Sequence, residues 1–309
     1  TWDGGKGWTP IGNSSTYFTG SYNGNNKTIS GLYIARSGFS EIGLFGYASG
    51  SCAISNLGAQ NVNITGSGNV GGLVGRFEGG TISECFSTGN VYVNVNYNGG
   101  LVGYSSATIT ESYSTVVLHN TGSSSSSGGF VGYIALGSAI SNCYARGNVT
   151  ATNNVGGFVG YAYQGSINNC YSTGLVTASS SYGGFGGTGW TATINSCYWD
   201  QSTSGQSSSW GGTGKTTPEM KTQSTFSGWD FTNIWEIVGG DGANYPRLQD
   251  NPDPVLPVEL TMFNAECSQK DPLKKNNVEL NWQTATEVNN YGFEIERNVR
   301  KASRFSNAW

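Results

Sequence analysis

Short apolar runs recur along the first two hundred residues, separated by stretches of Gly, Ser, Thr and Asn. The block Gly-Gly-(Leu/Phe)-Val-Gly occurs at Gly71–Gly75, Gly99–Gly103, Gly128–Gly132 and Gly156–Gly160, with looser copies at Ile42–Gly46 and Gly183–Gly187. Its central residues Leu44, Leu73, Leu101, Phe130, Phe158 and Phe185 stand 29, 28, 29, 28 and 27 positions apart. A second block, Ile-(Ser/Asn)-polar-Cys-Tyr, is anchored by Ile82, Ile109, Ile140, Ile167 and Ile194, with weaker versions at Ile29 and Ile54. A valine after a glycine turn, at Val91, Val149 and Val176, gives a third anchor. Each run is too short and too rich in glycine for a helix, where each Gly costs about 1 kcal/mol against Ala. Three short strands per unit predict one coil of a three-sided parallel β-helix. Successive coils stack about 4.8 Å apart, so six to seven coils make a rod roughly 30 Å long. Like residues then fall on like residues in continuous columns.

Composition narrows this further. The chain has 309 residues, 48 of them Gly, and only 11% are charged, under half the usual share. Glycine does not fall at every third position, which excludes collagen. An aromatic content of 13% argues for an ordered chain. No run of about 18 apolar residues occurs, so no membrane span is expected. A net charge of −4 offers no basic face for nucleic acid. A nearly uncharged surface of Ser, Thr, Asn and Gly suits a protein outside the cell. The start at Thr1 reads as a mature or trimmed form.

Gly-Gly-Leu-Val-Gly followed by Ile-Ser-x-Cys-Tyr-x-x-Gly-Asn-Val is similar to the GLUG repeat of secreted bacterial surface proteins. Residues 1–34, with Trp8-Thr-Pro-Ile-Gly and Phe18-Thr-Gly, resemble the coils that open such arrays; Cys197-Tyr-Trp-Asp through Asn244-Tyr-Pro-Arg-Leu resembles their closing segment. The resemblance implies a β-solenoid, used in adhesins and as accessory regions of immunoglobulin-cleaving metallopeptidases. Leu256-Pro-Val-Glu-Leu-Thr and Val278-Glu-Leu-Asn-Trp through Phe293-Glu-Ile-Glu-Arg resemble the fibronectin-type module of Bacteroidetes-type secreted proteins, which precedes a type IX sorting domain. No sorting domain precedes the last residue, Trp309, and only about three strands fit between Val258 and Val299, against about seven in a sandwich. The expected organisation is therefore a GLUG-type solenoid over 1–200, a linker and cap over 201–253, and an incomplete antiparallel β-sandwich-like segment over 254–309. A Gly/Ser/Gln linker is expected at 201–215, and an N-cap at Thr216 or Thr217 before Pro218 and Glu219. Phe226, Trp229, Phe231, Ile234, Trp235 and Ile237 are expected to cover the open end of the last coil.

Candidate chemistry is sparse. Cys85, Cys143, Cys170 and Cys197 share one repeat position with Leu57 and Ser112, which reads as a buried apolar slot rather than a metal or disulfide site. Glu84 and Glu111 are expected to stack about 5 Å apart, close to the carboxylate spacing of a retaining glycosidase. Asn56 and Asn142 hold the same position on flanking coils, which makes it an ordinary polar column. His119 is the one histidine, so an H-E-x-x-H zinc site cannot form. Gly239-Gly-Asp-Gly is a single partial calcium-repeat match and reads as a turn. The column Phe86, Tyr113, Tyr144, Tyr171 and Tyr198 is either an internal ladder or, if it faces solvent, a stripe on which sugars or a partner could lie. Ile and Cys lie three apart, so a bend must intervene if both point inward.

These features predict a secreted, non-enzymatic structural or adhesive surface protein with no cofactor. Itself is the expected partner, with glycans or a neighbouring cell surface as further candidates. Val258, Leu260, Val278, Leu280, Trp282, Phe293 and Ile295 are the expected self-assembly strands, completed by a neighbouring chain in a filament. The alternative is a carbohydrate-binding or carbohydrate-cleaving module.

Overall fold

A computed structural model describes residues 2–122, 126–251, 260–268 and 277–284. The chain divides into two units, Thr1–Pro252 and Asp253–Trp309. In the first, parallel strands wind into a β-solenoid of about six turns with three walls, formed by sheets of sixteen, six and five strands.

Register follows the repeat. Ile54, Ile82, Ile109, Ile140, Ile167 and Ile194 pair in one continuous ladder. Val91, Leu118, Val149 and Val176 make a second. Leu44, Leu73, Leu101, Phe130, Phe158 and Phe185 are all buried, with Phe130, Phe158 and Phe185 stacked at 4.8 and 4.9 Å. Each such side chain stabilises the rod by about 1.5–3 kcal/mol through apolar burial. Ser127 pairs with Asn98 on one coil and Val155 on the next, so the register continues there.

The bend between Ile and Cys is made by one residue per coil. Asn56, Glu84, Glu111, Asn142, Asn169 and Ser196 all have φ between 46 and 53°. In this left-handed conformation the chain turns a corner in a single residue, so Ile82 and Cys85 both point inward. Asn is the side chain that tolerates the region best after Gly, which explains its recurrence here.

The paired glycines answer a different demand. None of Gly71, Gly99 and Gly128 has positive φ. A Cβ on Gly128 would sit 2.1 Å from the Val131 carbonyl oxygen and 2.6 Å from that of Phe158. Close approach of backbone to backbone, within a coil and between coils, is what excludes a side chain.

The segment after Asp200 departs from expectation. Asp200 caps the helix Gln201–Ser204, and strand Thr213–Lys215 pairs with Tyr198–Asp200, so the expected linker is an ordered partial coil. Trp199 and Trp210 pack on the core here, Trp210 lying against Gly186 and Gly189. This stretch, not Phe226–Ile237, covers the last coil. Thr216 then forms a capping box with Glu219 ahead of the helix Thr217–Met220. From there the chain runs back along the flank of the solenoid, where Asn251 donates to the Cys85 and Glu111 carbonyls at 3.2 and 3.1 Å.

The cysteine slot is apolar as expected. Cys85, Cys143, Cys170 and Cys197 are buried free thiols, each donating to the carbonyl two residues before it at 3.1–3.2 Å. Burial pushes the Cys85 thiol up to about 12. On the coil between, the Ser112 hydroxyl accepts from the Cys85 amide at 3.0 Å.

In the second unit, strands Leu260–Ser268 and Asn277–Thr284 form an antiparallel pair. The register sets Phe263 opposite Trp282, Ala265 opposite Leu280 and Cys267 opposite Val278. Asn264 and Glu266 stand opposite Asn281 and Glu279, so like meets like across the pair. Val258, Phe293 and Ile295 lie outside the described residues.

Candidate binding surface

Besides the internal Phe130–Phe158–Phe185 stack, two aromatic columns run along outer walls of the solenoid. The first is the one expected from sequence: Phe86, Tyr113, Tyr144, Tyr171 and Tyr198 pair in register. The first four rings stack at 5.0, 4.8 and 5.1 Å with planes within 11° of parallel. It is not a solvent-facing stripe. Tyr113, Tyr144 and Tyr171 are fully buried beneath Met220, Phe226, Trp229, Trp235 and Leu248. Residues 217–248 therefore form a flank that seals this column from the side. Unpaired apolar rings on the outer wall need cover as much as an open end does, and the flank supplies it.

Polar contacts fasten that seal. Arg146 lies 4.6 Å over the Tyr144 ring and donates to the Tyr171 hydroxyl and to the Pro246 carbonyl, the latter at 2.9 Å. The Tyr171 hydroxyl donates to the same carbonyl at 2.5 Å. Trp229 Nε1 donates to the Ser196 carbonyl at 3.0 Å. The Tyr245 hydroxyl donates to the buried Asp200 carboxylate at 2.8 Å; burial first, then Asp200, push Tyr245 up to about 12.

The second column was not read from the sequence. Tyr47, Arg76, Tyr104, Tyr133, Tyr161 and Thr188 pair in register on the outer face of the six-stranded sheet. Tyr104, Tyr133 and Tyr161 are half-buried, and their rings stack at 5.3 and 5.4 Å within 8° of parallel. Tyr97 packs 4.7 Å from Tyr133. Arg76 sits between Tyr47 and Tyr104, 4.9 and 5.4 Å from their rings, and pairs with Glu78 at 2.6 Å and Glu41 at 3.7 Å. Burial alone would raise Glu78, but hydrogen bonds from Tyr47 and Arg76 outweigh it and hold the carboxyl below its usual range. Burial first, then the neighbouring tyrosines, push Tyr133 up to about 12. At the adjoining corner Tyr163 and Trp190 are exposed, Trp190 by 67%. The available signal was Arg76, because a guanidinium in a repeat slot marks that slot as outward-facing.

The other candidates stay apart from this surface. Glu84 and Glu111 occupy the left-handed corner with Asn56 and Asn142. Burial first, then the Glu84 and Asp250 carboxylates, push the Glu111 carboxyl above its usual value. Glu84, Phe86, Asp250 and Asn251 line a depression of about 340 Å³. His119 stacks on Tyr92 at 5.1 Å. Gly239, Gly240 and Gly242 turn with positive φ, and the Asp241 carboxylate accepts from the Gln223 amide at 2.7 Å. Among the described residues no group of three or more His, Cys, Asp or Glu could hold a metal ion, and no helix is long and apolar enough to cross a membrane.

The GLUG motif is found at residues 66–92, 123–150 and 151–177. Halomucin of Haloquadratum walsbyi is 34% identical in an alignment covering 81% of this chain and 3% of that protein. The "Putative Gly-rich membrane protein" of Evansella cellulosilytica is 40% identical over 76 residues, 25% of this chain and 9% of that protein. The chain therefore spans a small fraction of these relatives. The crystal structure of a "putative immunoglobulin A1 protease" from Bacteroides ovatus superposes with a TM-score of 0.55, over 79% of this chain and 81% of that one, at 20% identity. At that identity the likeness is one of fold.

Proposed function

We propose that this chain, a β-solenoid carrying GLUG motifs, is a non-enzymatic structural and adhesive protein that works outside the cell and assembles with copies of itself into a surface filament. The observation that carries the non-enzymatic part is the use to which reactive side chains are put. Cys85, Cys143, Cys170 and Cys197 fill an interior slot, Glu84 and Glu111 turn a corner, and His119 lies on Tyr92. The GLUG motifs and the likeness to halomucin support the extracellular setting. The Bacteroides ovatus neighbour shares the fold, and its name brings no activity across at 20% identity.

Support for self-assembly comes from the second unit. Two paired strands alone are marginal in water and gain stability from further strands. The in-register apolar positions Phe263–Trp282, Ala265–Leu280 and Cys267–Val278 would present such strands with a matching row. Sedimentation and electron microscopy of the full chain test this. Concentration-dependent multimers are expected, with Leu280→Asp/Trp282→Asp shifting them to monomer while the solenoid's far-UV signal persists. A wild-type chain that stays monomeric at high concentration ends the filament reading. A second reading, recognition of carbohydrate, is favoured by the half-buried Tyr104–Tyr133–Tyr161 column.

A further inference from the structure

We infer that the outer face of the six-stranded sheet binds an extended, uncharged, β-linked polysaccharide laid along the solenoid axis, one sugar to each coil. The inference rests on the adhesive part of the reading above and not on filament formation.

Geometry comes first. The rings of Tyr104, Tyr133 and Tyr161 lie face to face at 5.3 and 5.4 Å, so their faces are used by one another and their edges point outward. What the column offers is therefore a row of phenol hydroxyls separated by apolar ring edges, repeating once per coil. An extended β-linked pyranose chain advances by nearly the same distance per sugar and alternates hydroxyls with C–H edges in the same way. The two repeats match over the three adjacent rungs Tyr104, Tyr133 and Tyr161, where the rings stack at 5.3 and 5.4 Å.

Hydrogen bonding comes second. Among the described residues the hydroxyls of Tyr104, Tyr133 and Tyr161 have no partner in the protein, whereas the sealed column ties Tyr171 to Arg146 and Pro246. Each free phenol can donate once and accept once, and its water is replaced by a sugar hydroxyl at little cost. Charge comes third. Arg76 is answered by both Glu78 and Glu41, so the face carries no positive excess to favour an acidic polymer. At the adjoining corner the exposed rings of Tyr163 and Trp190 keep free faces on which a terminal sugar can stack.

Titration calorimetry of the full chain with cello-, xylo- and chito-oligosaccharides of increasing length tests the inference. Affinity is expected to rise with each added sugar until the chain spans the three adjacent phenols of Tyr104, Tyr133 and Tyr161. Tyr133→Phe keeps the stack, removes one hydroxyl, and is expected to weaken binding about five-fold, the loss of one neutral hydrogen bond. Tyr144→Phe, in the sealed column, is expected to leave affinity unchanged. No binding of any of the three series by correctly folded protein overturns the inference, as does stronger binding of polyanionic alginate. Affinity that stops rising at the disaccharide overturns the axial alignment. A monomer that binds sugars removes only the filament, and a filament that binds none removes only this surface.

Discussion

The sealed and the open aromatic columns are built by the same device, one ring per coil stacked at about 5 Å through a parallel ladder. They differ in what the rest of the chain does to them. Residues 217–248 bring Phe226, Trp229 and Trp235 over Tyr144 and Tyr171, and hydrogen bonds then hold every polar tip they bury except Trp235 Nε1. Nothing among the described residues satisfies the hydroxyls of Tyr104, Tyr133 and Tyr161. A repeat therefore generates identical ladders cheaply, and a single non-repeating segment decides which becomes core and which stays available.

The largest test of that contrast is Trp235→Ala. Trp235 is fully buried between Tyr144, Tyr171 and Trp229, and its loss is expected to cost about 3–5 kcal/mol. The flank should release before the solenoid melts, giving a near-UV circular dichroism transition ahead of the far-UV one. A single shared transition would mean that the sealed column is inseparable from the core. A matched pair sharpens the comparison at smaller scale. Tyr171→Phe removes one hydrogen bond from Arg146 and one to the Pro246 carbonyl, though the two still bond each other, and is expected to cost about 1–3 kcal/mol. Tyr133→Phe, on the open column, is expected to stay within about 0.5 kcal/mol. Equal losses in urea melts would erase the distinction.

The smallest effect lies at the corner where the sealed column begins. Burial, with Glu84 and Asp250 nearby, raises the Glu111 carboxyl, so the folded state favours its neutral form. Its contribution is present below the unfolded value and lost as pH rises through the folded one. Glu111→Gln should therefore stabilise the protein at neutral pH, with the gain disappearing below about pH 4. A gain that persisted in acid would place its cause in packing.

Most of the solenoid was legible because spacing alone fixes it: Ile82, Ile109 and Ile140 fall into register once the period is recognised. The need for a bend before Cys85 was legible too, and the recurring Asn at 56, 142 and 169 marks the left-handed residue that makes it. The destination of Phe226–Trp235 was not. An apolar segment states that it needs cover and says nothing of whether it meets the end or the side of a rod. Tyr104 escaped for a local reason: it stands two residues from Val102, so simple alternation puts both on one side. Yet Val102 is buried and Tyr104 is half-buried on the outer face.

Because each rung of the Ile and Leu/Phe ladders rests only on the rungs directly above and below, the middle of the rod has no privileged member. Duplicating or deleting one such segment of the gene would lengthen or shorten the protein by a single step and leave every remaining contact of the same kind. The length of the solenoid thus becomes a quantity that inheritance can tune in increments, without redesigning its first or last coil.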